Sequence, residues 1–214
     1  MPSNLPHNPW DVVRLFEANV AVYTGAPFCV AVESCTTALY LGCALFKDQG
    51  GRWRDPISIP SQTYLGVPQS IMNAGYGVLF REENWSGVYQ LKPLPLWDCA
   101  RRFTRKMYVP GQHQCLSFHW EKILGVGRGG AILTDDPVAA AWYRRARFDG
   151  RTEGVCCKDE VPQWGLHATM TPEMAAAGLG KLYYLPDVNP DQPGEYPDLS
   201  RMARFQEAGC LSSL

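Results

Sequence analysis

FCVAVESCTTALYLGCALF, residues 28–46, decides how the rest of the chain is read. Its first six residues, Phe28 to Glu33, form a short apolar run of the length of a buried strand. From Cys35 to about Phe46 small and apolar residues follow without a breaker, and the pattern predicts a helix. The junction, Glu33-Ser34-Cys35-Thr36-Thr37-Ala38, therefore joins the end of a strand to the start of a helix. Backbone N–H groups and hydroxyls gathered at a helix N-terminus form a site for an anion. Ser34 is equally suited to be an ordinary helix cap, and the stretch alone leaves both readings open.

Reading outward, strands and helices keep alternating. Upstream, Asn8-Pro9-Trp10-Asp11 predicts a helix start, and Val13, Phe16, Val20 and Tyr23 recur on one helical face ending near Gly25. Downstream, strand-like runs at 57–60, 77–80, 94–98, 115–119 and 131–135 are interspersed with helical patterns at 64–74, 137–148 and 172–185. This order predicts an α/β fold, a three-layer α/β/α arrangement around a mostly parallel mixed sheet. Residues 1–185 form the large domain in this reading. Residues 186–214, rich in Pro and Asp before a weak helix near 200–208, form a short C-terminal remnant.

Composition narrows the function. The 214 residues are 46% hydrophobic and carry a net charge of −1, so a sizeable core is possible and no strong global field exists to draw nucleic acid or an anionic membrane. The basic pieces, Arg101, Arg102, Arg105 and Lys106, then Arg144, Arg145 and Arg147, read as solvated faces. The eight cysteines include no C-x-x-C pair, and the adjacent Cys156-Cys157 suits neither an ordinary disulfide nor a zinc knuckle, so no metal site is expected. The N-terminus lacks a signal-peptide layout, and no apolar run approaches the roughly 20 residues of a membrane span. A cytoplasmic protein is expected.

Three further segments fall at or near strand ends, where open α/β sheets bind ligands. Asp98 ends the run LPLWD; buried there, its carboxylate stays ionised only beside a partner such as a cationic ring nitrogen, and alone it reads as a turn residue. Lys122 lies just past the next run, in Ser117-Phe118-His119-Trp120-Glu121-Lys122. It is a candidate Schiff-base former if desolvated, and otherwise a surface lysine. Gly125-Val126-Gly127-Arg128-Gly129-Gly130 matches G-x-G-x-x-G, but a strand rather than a helix follows, so it reads as a tight turn between strands.

Taken in order, these segments resemble the DegT/DnrJ/EryC1/StrS family of fold-type-I pyridoxal-phosphate enzymes. The resemblance runs from about Trp10 to Leu182. It is carried by Phe16, Glu17, Ala21, Gly25 and Ala26; by Ser34 to Leu39; by Pro60, Ser61, Thr63 and Tyr64; by Asp98-Cys99-Ala100; by Ser117 through Lys122; by Gly127, Gly129, Gly130 and Thr134-Asp135-Asp136; and by Met170-Thr171, Ala175, Ala176, Gly178 and Leu182. It implies a fold-type-I large domain with pyridoxal 5′-phosphate as cofactor. Lys122 is then the Schiff-base lysine, forming the internal aldimine, and Asp98 the partner of the pyridinium nitrogen. Ser34, Cys35, Thr36 and Ser117 hold the phosphate, Tyr64 stacks on the ring, and Arg101 stands in the cofactor site where glutamine or histidine is common.

The chain also departs from the pattern. Cys35 replaces the glycine of the phosphate loop, Arg128 replaces an acidic turn residue, and Gly165-Leu166-His167-Ala168-Thr169-Met170 lacks the asparagine and arginine of the family's G-Y-N-Y-R-M segment. The resemblance implies a shortened member that lacks most of the family's C-terminal domain. The resemblance implies aminotransferase chemistry on a small or nucleotide-linked substrate, in a homodimer with sites at the interface. The alternatives are a decarboxylase or lyase acting on an amino-acid moiety, even one attached to a nucleotide or nucleic acid, and a catalytically degenerate binding protein.

Overall fold

β1 (Phe28–Val32) runs into α2 (Cys35–Asp48) through a two-residue junction, and α1 (Asp11–Thr24) precedes them. The structure, a computed structural model, describes residues 8–50, 56–153 and 161–212. Cys156-Cys157 and the stretch up to His7 lie outside the described residues. The expectation that Asn8 caps the first helix, with Pro9 as its first residue, is corrected: α1 starts at Asp11 with Trp10 at the N-cap position and no side-chain cap, and Asn8 Oδ1 accepts from Trp10 N at 3.0 Å in the turn before it. Val13, Phe16, Val20 and Tyr23 are all buried on its inner face.

The remaining elements follow in chain order. They are β2 (Ile57–Pro60), α3 (Gly66–Asn73), β3 (Val78–Arg81), β4 (Tyr89–Gln90), β5 (Leu96–Asp98), β6 (His113–Ser117), β7 (Gly130–Thr134), α4 (Pro137–Ala146) and α5 (Pro172–Tyr183). A 3₁₀ turn, α6 (Ala203–Glu207) and β8 (Leu211–Ser212) complete them. One sheet has the order β1-β7-β6-β5-β4 and another β2-β3-β8. A bridge between Ser58 and Lys92, with bonds of 2.7 and 3.0 Å, ties the two together.

Alternate residues of the central strands serve two cores. Val30, Val32, Cys115 and Ile132 face one cluster with α2 and α4, whereas Cys29, Ala31, Leu116, Ala131 and Leu133 face another with α1 and α5. Period-two alternation with apolar residues on both faces is what a sheet covered on both sides requires. The three-layer α/β/α arrangement follows.

The expectation of a mostly parallel sheet is corrected. In the larger sheet only β5 and β6 pair in parallel; β1–β7, β6–β7 and β4–β5 are antiparallel. Parallel pairs need a crossover of a dozen or more residues, usually a helix. Between β3 and α4 there is no helix, so β4, β5 and β7 each enter by a loop, and two of those three connections return the chain as a hairpin. The parallel pair β2–β3 has α3 as its crossover.

The segment after α5 packs on this frame. Leu199 and Phe205 are buried in the core that contains β2 and β3, and β8 pairs in parallel with β3. Among the described residues no helix is long and apolar enough to cross a membrane.

Candidate active site

Ser34 caps α2: its Oγ accepts from Thr37 N at 3.1 Å and lies 2.9 Å from Thr37 Oγ1. The cap does not exclude the anion-site reading, because the same helix start borders a cleft. Its approach to β7 is close enough to demand glycine. A Cβ on Gly130 would come within 2.5 Å of Cys35 N and of the Ser34 carbonyl carbon. The glycine-rich run is thus a turn entering β7, as its sequence context indicates, and it lets the α2 start lie against the strand.

Lys122 belongs to the loop between β6 and β7. Phe118 O accepts from both Val126 N and Gly127 N, at 2.9 and 3.1 Å, and Lys122 N donates to His119 O at 2.8 Å. The loop therefore folds back on itself with the lysine in a tight turn. Gly125, at φ +51°, closes that turn; a Cβ there would stand 2.9 Å from Trp120 O and 3.0 Å from Lys122 O. Lys122 Nζ lies 3.4 Å from Tyr196 Oη.

Asp98 ends β5 and is only 5% exposed. Its Oδ2 accepts from Tyr89 Oη at 2.7 Å and its Oδ1 from Ala100 N at 2.9 Å. With the Tyr89 proton given to Asp98, Thr63 supplies the proton of the 2.5 Å contact between its Oγ1 and Tyr89 Oη. Burial pushes the Asp98 carboxyl above its ordinary value, against the opposing pull of Ala100, Tyr89 and the more distant Lys122 and Arg101. No cation forms an ion pair with Asp98 among the described residues. Burial raises the Cys35 thiol well above its usual range, with the nearby Asp98 adding to the effect, so this cysteine is a neutral group.

These elements surround a cleft of about 350 Å³. Ser34, Cys35, Thr36, Tyr64, Asp98, Arg101, Ser117 and Lys122, every site residue proposed from sequence, line it. The chain also contributes groups that sequence reasoning missed. Trp85 and Tyr196 line the cleft with their rings 6.2 Å apart and 14° from parallel, and Tyr64 meets Tyr196 edge-on at 6.3 Å. Thr63 and Tyr89 form the relay behind Asp98. Arg128 at the rim pairs with Glu33 at 3.2 Å.

Tyr196 comes from the Pro- and Asp-rich tail, which crosses the cleft rather than trailing away. Arg102 grips Asp191 with bonds of 2.8 and 2.5 Å, and Gln192 N donates to Arg101 O at 2.9 Å. Beyond the tyrosine, Leu199 N donates to Ser61 O at 2.9 Å. The reading of the basic pieces as solvated faces is corrected at Arg147, which is 2% exposed. Arg102 and Arg105 carry carboxylate partners, Asp191 and Asp187.

The profile of the DegT/DnrJ/EryC1/StrS aminotransferase family matches residues 4–86 and 105–194. Solved structures share the fold. AtS13 from Actinomadura melliaura is 20% identical at a TM-score of 0.69, over 81% of this chain and 60% of that one. The sugar aminotransferase CalS13 from Micromonospora echinospora is 19% identical at 0.68, over 86% and 62%. A DegT DnrJ EryC1 StrS aminotransferase from Brucella abortus is 19% identical at 0.67, over 82% and 59%. The chain thus spans about three fifths of the length of these solved relatives. No curated protein matches the sequence.

Proposed function

The chain belongs to the DegT/DnrJ/EryC1/StrS aminotransferase family, and from that premise we propose that it holds pyridoxal 5′-phosphate covalently on Lys122 and moves an amino group to a carbonyl of a small or nucleotide-linked substrate. One observation carries the reading. Asp98 is a buried carboxylate whose two hydrogen-bond partners, Tyr89 and Ala100, are neutral, and it lines the same cleft as Lys122. A buried carboxylate is costly to ionise without a cation. A protonated ring nitrogen is a cation of the right kind, and the residues fit it.

The rest of the lining suits the remainder of the cofactor. The start of α2, with Ser34, Cys35 and Thr36, offers a phosphate the positive end of a 14-residue helix, and Ser117 adds a hydroxyl from the end of β6. Tyr64 presents an aromatic ring to the cleft. When bound, the cofactor supplies an electron sink for the pair left on a substrate carbon. Asp98 would keep the ring nitrogen protonated, Tyr89 and Thr63 would hold Asp98 in place, and the Lys122 amine would carry protons at the substrate carbon.

The test is direct. Incubation with pyridoxal 5′-phosphate followed by borohydride should fix a pyridoxyl group on the peptide containing Lys122, and Lys122→Ala should abolish it. A label found elsewhere, or none at all, sinks the proposal and leaves the degenerate binding protein as the better account. Decarboxylation or elimination on an amino-acid moiety is the competing chemistry, since the same electron sink serves both. Accumulating pyridoxamine phosphate with amino donors supports transfer; carbon dioxide or an elimination product supports the alternative. A homodimer completing the site from a second copy belongs to the same proposal and is read by sedimentation.

A further inference from the structure

Arg101 differs from the cations beside it. Arg102 and Arg105, in the same basic run, are paired with Asp191 and Asp187. Arg101 is half-buried, lines the cleft, and forms no ion pair among the described residues. Its Nε donates to Tyr196 Oη at 3.3 Å, and its guanidinium carbon lies 5.1 Å from the centre of the Tyr196 ring. Its two terminal nitrogens make no hydrogen bond among the described residues, which leaves a planar fork of donors without a protein partner on a residue that lines the cleft.

The same phenol oxygen accepts from Lys122 Nζ at 3.4 Å. Arg101 and the lysine amine are therefore held at one point, on the same side of the cleft. The tyrosine is itself fixed from both directions. Gln192 ties the tail to Arg101 O and, through its side chain, to Glu121 O at 3.1 Å, while Asp198 bridges to Gln62. A guanidinium fork is matched best by a planar two-oxygen anion. In an α-amino acid the carboxylate carbon is two bonds from the amine, a separation that suits a fork set beside the reacting nitrogen.

We propose that Arg101 anchors the carboxylate of the amino donor, with Tyr196 as the positioning residue that aims it. This rests on the reading of Lys122 given above. It moves Arg101 from the cofactor to the substrate, and it makes the tail a working wall of the site. The carboxylate is assigned to the donor, and a phosphate of a nucleotide-linked acceptor is the other oxyanion to be tested against it.

The experiment uses the cofactor-loaded chain and two readouts. Calorimetric titration with succinate, a carboxylate without an amine, should show binding that Arg101→Met weakens on the order of 100-fold. Arg101→Lys, which keeps the charge and loses the fork, should recover only part of it. Tyr196→Phe should cost less, roughly three- to tenfold. In the half-reaction, the preference for L-alanine over ethylamine should collapse in Arg101→Met. Unchanged succinate affinity in that variant overturns the proposal. So does Arg101-dependent binding of inorganic pyrophosphate in place of succinate, or full recovery by lysine. Borohydride labelling of Lys122 in the same samples separates the cases. Label present with no effect of Arg101 removes this proposal alone, whereas label absent in the wild type removes the function beneath it.

Discussion

Two buried carboxylates in this fold, Glu17 and Asp98, have opposite surroundings. Glu17, 5% exposed, sits on α1 between the layers. Its Oε1 accepts from Ala31 N at 2.8 Å and forms an ion pair with buried Arg147, which also bonds Ala31 O and pairs with Glu153 at 2.7 Å. The pair thus fastens α1 and the end of α4 to the middle of β1. Asp98, equally buried, has a tyrosine hydroxyl and one amide but, among the described residues, no guanidinium or ammonium in an ion pair with it. A charge whose partner the chain itself provides holds the fold together. One provided with neutral donors in a cleft is suited to a cation that arrives from outside.

The comparison breaks most sharply at Glu17. Glu17→Ala removes one of the two carboxylates paired with buried Arg147 and leaves Glu153 as the other, and losing one partner of a buried pair costs up to about 3–5 kcal/mol. Urea unfolding should show that loss whether or not cofactor is present. A cost below about 1 kcal/mol would mean that water reaches the pair, and that its contrast with Asp98 is false.

Asp98→Asn should do the reverse. Removing an uncompensated buried charge leaves the cofactor-free protein as stable as before or more so, while the amino-donor half-reaction falls by about 10²–10³-fold, the usual cost of deleting one electrostatic partner. The sign of the pH dependence follows from the raised Asp98 value. The folded state holds its proton more tightly than the unfolded chain, so this group's contribution is complete below the ordinary carboxylate value of 3.8 and is lost as pH rises through the raised one. The cofactor-free wild type should therefore lose stability across that window, and Asp98→Asn should not. Equal slopes in the two proteins would remove Asp98 as the cause.

Much of this contrast was legible in the sequence, and some of what was missed could have been read. Lys122, Asp98 and the Ser34–Thr36 junction stand out because each follows an apolar run, where local pattern is informative. Arg147 does not stand out from Arg144 and Arg145 by type. Helical phase separates them: Ala139, Tyr143 and Ala146 mark the buried stripe of α4, and Arg147 falls four residues after Tyr143, on that stripe. Strand direction is not legible from strand–helix alternation alone, because the residues between β3 and α4 carry no helical pattern to supply a parallel crossover. Tyr196 had no local signal at all. It meets Lys122 across 74 residues and Arg101 across 95, contacts fixed by where the tail is pinned rather than by any period or motif.

The finest test lies one atom behind Asp98. Tyr89 is buried, and burial raises its hydroxyl well above the ordinary range, with the Asp98 charge adding to the shift, so it remains a proton donor at any working pH. Tyr89→Phe deletes the 2.7 Å bond to Asp98 and leaves the ring packing intact. A bond to a charged group contributes about 1.5 kcal/mol or more, which corresponds to roughly a tenfold loss of cofactor affinity. That bond also favours the ionised carboxyl, so its removal should carry the Asp98 value higher still and move the onset of cofactor binding to higher pH. Among the described residues no hydroxyl donates to Glu17, whose partners are the Ala31 amide and Arg147. If Tyr89→Phe lowers affinity with no movement of the pH profile, the tyrosine shapes the cleft without tuning the carboxylate, and the two buried acids differ only in their cations.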